Sequence, residues 1–197
     1  MAGYGELPLW MGIDPSYAGF AWVGIVESDS IPGGLGTLDA REDYSAATAG
    51  KGAARLELIY RNLSRFLVSL TQHYRVKGIA IEGYAPGAKF NREALGELGG
   101  VTRLAVHQAL SDVCPPALIV PPMSVKKFAT GKGTAPKDNV LLAVYKKWGI
   151  EFQSNDLADA YTIARIARAV DRGADLEYEQ EVLRRLSPAR ERGGGAP

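Results

Sequence analysis

Asp14, Glu82, Asp156 and Asp159 carry most of the chemical information in this chain. Asp14 closes the apolar run Leu9-Trp10-Met11-Gly12-Ile13, and Glu82 closes a second one, Gly78-Ile79-Ala80-Ile81. Asp156 and Asp159 stand three apart at the head of a helical pattern, Asp156-Leu157-Ala158-Asp159-Ala160-Tyr161. Two strand ends and the first turn of a helix can bring such groups to one point, where unpaired carboxylates repel one another and hold protons. Divalent cations remove that repulsion, and a two-metal carboxylate site cuts phosphodiesters. Each residue also has a plainer reading: Asp14 as a turn residue before Pro15, Asp156 as a helix cap, Glu82 as a solvated strand end. The ordered set, beside the lysines described next, points to a metal-dependent nuclease.

Between Met123 and Trp148 lie Lys126, Lys127, Lys132, Lys137, Lys146 and Lys147 against a single acid, Asp138. A local basic surface binds phosphates even on a nearly neutral chain, and its plain alternative is a solvated helix face. The net charge is only +1; offsetting the four site carboxylates with two divalent ions raises it to about +5. Lys126 and Lys137 flank a glycine loop, where each can neutralise a phosphate or the charge built up during cleavage. Thr130-Gly131-Lys132-Gly133-Thr134 is not a phosphate-binding P-loop, which needs Gly where Lys126 stands and Ser or Thr where Gly133 stands. His73 and His107 are too few and too isolated for a metal or triad site, and His107 reads as helix surface or interface. The lone Cys114 argues against disulfides and zinc and reads as a small buried core residue.

The elements that must position these groups follow from the apolar pattern. With 197 residues, 46% hydrophobic and 23% charged, the chain fits one well-buried domain. No signal peptide and no apolar segment long enough to span a bilayer is evident, and a cytoplasmic location fits. Residues 9–13, 20–26, 34–38, 79–82 and 117–120 read as strands, the first buried on both faces and the first three forming an antiparallel meander. Residues 39–52 read as loop, and 83–89, holding Gly83, Pro86 and Gly87, as irregular. Helical spacing marks 53–73, 92–113, 124–129, 136–148 and 156–172, with a marginal helix over 175–186. Ala158, Ala160, Ala164 and Ala167 suit a helix that approaches a sheet closely. Gly96 and Gly100 share a face of the 92–113 helix beside Gly99, which implies close approach either across a dimer or onto the chain's own sheet. The expectation is an α/β fold, a mixed sheet covered by helices on both faces. It comprises an extension over 1–8, a nuclease domain over 9–172, a helical extension over 173–186 and a disordered tail over 187–197.

Three segments carry a family resemblance. They are Met11-Gly12-Ile13-Asp14-Pro15-Ser16; Ile79-Ala80-Ile81-Glu82 with Gly96-Glu97-Leu98-Gly99-Gly100-Val101; and a long third. The third runs from Val120-Pro121-Pro122 through Val125-Lys126-Lys127 and Thr130-Gly131-Lys132-Gly133-Thr134-Ala135-Pro136-Lys137 to Asn155-Asp156-Leu157-Ala158-Asp159-Ala160. The sequence resembles the RuvC-type Holliday junction resolvases of the RNase H-like superfamily. The resemblance implies an RNase H-like five-stranded core, a homodimer, for which the glycine face of the 92–113 helix is one candidate interface, and paired nicks placed symmetrically across a four-way DNA junction. It makes Asp14, Glu82, Asp156 and Asp159 the metal ligands, and Lys126 and Lys137 the basic residues near the scissile phosphate. Lys127 and Lys132 are the further DNA contacts expected. Bacterial members offer an aromatic to the junction centre after the second carboxylate; here Tyr84 or Phe90 has to serve. That divergence suggests a phage-encoded branch acting in host cytoplasm.

The chemistry expected of such a site uses two Mg²⁺ ions, with Mn²⁺ as the alternative, each taking oxygen ligands. Asp14 bridges, Glu82 holds one side and the Asp156/Asp159 pair the other. One ion readies a water and the other stabilises the leaving 3′ oxygen, giving a 5′ phosphate and a 3′ hydroxyl. A broader nuclease for flaps, forks and branched DNA is the near alternative. A non-catalytic junction binder is a more distant one. An actin-like ATPase is excluded, because it needs two such domains and a second glycine-rich phosphate loop.

Overall fold

Apolar runs at residues 9–13 and 79–82 have no polar alternation, so both must be central strands with both faces covered. The computed structural model of the chain describes residues 7–15, 20–31, 34–43, 52–84 and 92–186. It contains a five-stranded sheet in the order β3-β2-β1-β4-β5. The strands are β1 (Pro8–Pro15), β2 (Phe20–Glu27), β3 (Leu35–Asp43), β4 (Arg75–Glu82) and β5 (Leu118–Val120). β1, β2 and β3 form an antiparallel meander, while β4 and β5 join β1 in parallel. The mixed α/β sheet expected from the sequence is the one observed.

Among the described residues six helices cover the two faces: α1 (Ala53–Thr71), α2 (Arg92–Leu110), α3 (Pro122–Thr130), α4 (Lys137–Trp148), α5 (Asn155–Arg172) and α6 (Glu177–Leu186). Leu9, Met11, Ile13, Ile79 and Ile81 point to one face, where they pack with Ile59, Leu63 and Leu67 of α1 and Leu98 and Ala105 of α2. Trp10 and Ala80 point to the other, against α3, α4 and α5. Side chains two apart on a strand share a face, so Asp14 follows Trp10 and Gly12, and Glu82 follows Ala80, toward α5. Ile13 pairs with Ile81 across β1 and β4, which sets Asp14 and Glu82 side by side one residue further on.

α5 reaches them through a backbone contact. A Cβ on Gly12 would stand 2.1 Å from the Ala160 carbonyl oxygen and 2.3 Å from the Ala164 nitrogen. Further along, Ala167 O lies 3.7 Å from the Cβ position of Gly78. Ala160, Ala164 and Ala167 thus form the stripe laid on the sheet, and one turn earlier the same stripe carries Asp156. The far end of α5 is fastened by Arg168 and Arg172 to Glu27 at the end of β2. Both guanidiniums lie over the Trp10 indole, at 5.7 and 5.5 Å from the ring centre. Ser154 caps the near end, accepting the Leu157 N–H at 3.1 Å.

Several expectations are corrected. Residues 39–43, read as loop, continue β3, because β2 extends far enough to pair Asp39 through Asp43 and a polar segment suits an exposed sheet edge. β4 begins at Arg75, four residues before the apolar run that marks it. α6 is more than marginal: Val182 enters the core, and Glu179 is buried with Lys147. Cys114 is half-buried rather than fully enclosed, and burial pushes its thiol up, away from nucleophilic use. His107 is exposed, as expected of a helix surface. Among the described residues, a Cβ on Gly96 or Gly100 would meet nothing within 4 Å beyond its own helix, so close packing on the sheet does not explain them. The expected tail over 187–197 lies outside the described residues.

Gly12→Ala should therefore destabilise the protein by about 3 kcal/mol or more, since both clashing atoms are backbone and neither can rotate away. Urea unfolding measures this; an unchanged midpoint would show that α5 does not depend on this contact.

Candidate active site

Asp14 is the last residue but one of β1, Glu82 ends β4, and Asp156 and Asp159 lie in the first turns of α5; one helical turn and two strand residues each cover about 5–7 Å, so these groups approach one another beyond the Gly12 crossing. Asp14 is 5% exposed and Asp159 is 7% exposed. Asp14 is held well above the usual carboxylate range, by burial first and then by the charges of Glu82, Asp159 and Asp156. Glu82 is pushed up to about 7 by burial and by Asp159, against the opposing pull of a hydrogen bond with Asp14 and of Lys137 and Lys126. Asp159 rises to about 6, again through burial, with Lys137 and Lys126 opposing and Asp156 reinforcing. The Asp14–Glu82 hydrogen bond needs a proton on one of the two, in keeping with the raised pKa of both.

Two lysines face this cluster. Lys137, at the first position of α4, donates to Asp156 Oδ1 at 3.2 Å. Burial works against the Lys137 ammonium, yet the hydrogen bond to Asp156 and the charges of Asp156, Asp159 and Asp14 outweigh it and raise its pKa. Lys126 on α3 acts on both Glu82 and Asp159. The loop between these helices turns on Gly131, whose φ of 80° is left-handed, and on Thr130 Oγ1, which accepts the Lys132 N–H at 3.1 Å. The glycine loop is thus a spacer that sets two ammonium groups opposite four carboxylates.

Other expected site residues are not gathered here. Lys127 pairs with Glu181 of α6 at 2.5 Å. Lys147, part of the same basic run, is enclosed by the Phe128 carbonyl, by Glu179 and by the Phe128, Trp148 and Tyr178 rings. Lys132 is exposed on the loop. Tyr84 lies with its ring over Gly99 of α2, and Phe90 is outside the described residues. Sequence reasoning missed Asn155, which donates to Asp138 Oδ1 at 3.2 Å and ties the start of α5 to that of α4. Its only sequence signal was its place beside Asp156.

The donor set suits a hard divalent cation: every ligand atom is a carboxylate oxygen, and each raised pKa records a need for positive charge. A proton between Asp14 and Glu82 and the Lys137 ammonium answer that need in this arrangement. Among the described residues no three Asp, Glu, His or Cys side chains stand close enough together to enclose an ion.

Because Glu82 and Asp159 titrate above ordinary carboxylates, the folded chain binds protons that the unfolded chain has released. Stability of the metal-free protein should therefore fall as pH rises from about 4 to about 7, with the whole penalty present above that window. Asp14→Asn should raise the metal-free Tm at pH 8 by about 2–8 °C and flatten the pH profile. Thermal melts between pH 5 and pH 8 test both; a flat wild-type profile would show that the carboxylates do not repel.

No protein-family model matches the sequence. The crossover junction endodeoxyribonuclease RuvC of Carboxydothermus hydrogenoformans is 31% identical over 160 residues, covering 78% of this chain and 91% of that protein. RuvC of Thermus thermophilus in complex with a Holliday junction substrate matches with a TM-score of 0.59 at 21% identity, over 79% of this chain and 90% of that one. A second Thermus thermophilus RuvC structure gives a TM-score of 0.59 at 20% identity, over 90% and 96%. The solved structures share the fold, and the curated relative shares sequence along nearly its whole length. The chain belongs to the RuvC family of crossover junction endodeoxyribonucleases, hydrolases that act on DNA.

Proposed function

We propose that this protein is a homodimeric, divalent-metal-dependent resolvase that nicks four-way DNA junctions symmetrically, leaving a 5′ phosphate and a 3′ hydroxyl. The observation that carries the reading is the meeting of Asp14, Glu82, Asp156 and Asp159, two of them nearly buried, opposite Lys126 and Lys137. The four carboxylates would hold two Mg²⁺ ions, or Mn²⁺, which when bound supply Lewis-acid charge to the attacking water and the leaving oxygen. Lys126 and Lys137 would neutralise the phosphate as negative charge gathers on it, and Lys132, exposed on the same loop, is available as a further DNA contact. The open faces of Gly96 and Gly100 on α2 support a second copy packing there. The described helices include none long and apolar enough to cross a membrane. A phage origin rests on the divergent segment after Glu82 alone.

A broader activity on flaps, forks and other branched DNA is favoured by one observation. Tyr84 is occupied against α2, and Lys127 and Lys147 are tied to α6, which leaves fewer groups to select a four-way centre.

A labelled four-way junction incubated with protein and Mg²⁺ should show paired nicks on opposing arms by denaturing gel, with linear duplex uncut. Equal rates on flaps would establish the broader activity. Asp14→Asn should lower cleavage by about 10³-fold or more while junction binding persists, and Lys126→Ala should lower it by about 10²-fold with little change in Tm. Retained cleavage in Asp14→Asn would sink the site. Sedimentation should give a dimer at micromolar concentration; a monomer would remove the homodimer.

A further inference from the structure

The loop after Glu82 has to leave a strand end that carries a catalytic carboxylate, and such ends fray unless they are tied down. Three restraints act here in succession. Ile81 pairs with Ile13 on one side, Glu82 pairs with Val120 on the other, and the Gly83 N–H donates to the Val120 carbonyl at 2.8 Å. Tyr84 comes next, and its hydroxyl end, with the adjoining edge of the ring, fills the space left by the missing side chain of Gly99 on α2. A Cβ on Gly99 would stand 1.5 Å from Tyr84 Oη and 2.5 Å from Cζ. The hydroxyl oxygen is buried. Gly99 is buried, while Gly96 and Gly100 on the neighbouring face meet nothing within 4 Å. Gly99 therefore has a use of its own, distinct from that of the other two glycines: it is a socket.

We propose that Tyr84 is a positioning residue, locked into the Gly99 socket of α2, which fixes the end of β4 and so the direction of the Glu82 carboxylate. The proposal rests on the reading of Glu82 as a catalytic carboxylate. It assigns to Tyr84 a task inside the protein in place of a DNA contact. The physical logic is leverage. A ring anchored two residues beyond Glu82 prevents the strand end from twisting, and a carboxylate displaced by about 1 Å loses much of its value as a ligand or charge partner. Only a residue without a Cβ leaves room for the ring so close to a helix backbone.

The test compares Tyr84→Ala, Gly99→Ala, their double variant and Tyr84→Phe with wild type and Glu82→Gln. Four quantities are measured: Tm, single-turnover cleavage of a four-way junction, junction Kd in Ca²⁺, and Mn²⁺ affinity by calorimetry without DNA. Tyr84→Ala and Gly99→Ala should each lower cleavage by about 10–100-fold and weaken Mn²⁺ binding by about tenfold, with junction Kd within about twofold. Because both act on one contact, the double variant should be no worse than the poorer single one. Tyr84→Phe, which keeps the ring, should restore most of the activity. If Tyr84→Ala keeps cleavage and Mn²⁺ affinity near wild type while Glu82→Gln is inactive, the lock is wrong and the site reading stands. If Tyr84→Ala weakens junction Kd but leaves cleavage at saturation and Mn²⁺ binding unchanged, Tyr84 is a DNA contact and the lock is again wrong. Full cleavage by Glu82→Gln would overturn the site reading and the lock with it. Should Gly99→Ala fail to fold, the Tyr84 variants decide alone.

Discussion

At Gly12 the backbone of β1 lies directly against the backbone of α5, with the Ala160 carbonyl and the Ala164 amide where a methyl group would have to be. That contact sets the height of α5 above the sheet, and alanines at 160, 164 and 167 keep it low along the helix. From this crossing two short distances fix the carboxylate cluster: two residues along β1 to Asp14 and one turn back along α5 to Asp156. The Arg168 and Arg172 pairs with Glu27 hold the other end of the helix, so α5 is restrained along its length. A larger residue at 12 would lift the helix and open the carboxylate cluster at its base.

The cluster so formed is electrostatically unfavourable on its own. Burial and mutual repulsion raise Asp14, Glu82 and Asp159 together, and the protein offsets this with a shared proton, the Asp156–Lys137 pair and the field of Lys126. Each of these is replaceable by a cation, and none is a permanent structural pairing of the kind that fills an ordinary core. The site keeps its charge unsatisfied by design of the fold, since the carboxylates sit on rigid ends that cannot move apart.

The opposite arrangement holds for the remaining lysines. Lys147 is enclosed by three aromatic rings, a carbonyl and Glu179, and Lys127 by Glu181. These pairs attach α6 to α3 and α4. Within a run of six lysines that looks uniform in sequence, Lys127 and Lys147 thus hold α6 while Lys126 and Lys137 face the carboxylates.

By itself the sequence determined the residue types and their local setting: buried strands ending in Asp14 and Glu82, a helix opening on Asp156 and Asp159, and a glycine loop between Lys126 and Lys137. Those features are legible because apolar runs, helical spacing and turn residues act over a few positions. Tertiary structure decided the rest. β3 extends through polar residues because β2 supplies hydrogen-bond partners, a pairing that apolar periodicity does not record. Which lysines reach the site depends on the direction each takes from its helix and on acids brought by α6 from more than thirty residues away. The placement of Tyr84 likewise depends on Gly99 of α2 coming to lie against it, a meeting of two separate segments. Local propensity carries no information about such contacts, because each depends on two segments meeting whose patterns are individually unremarked.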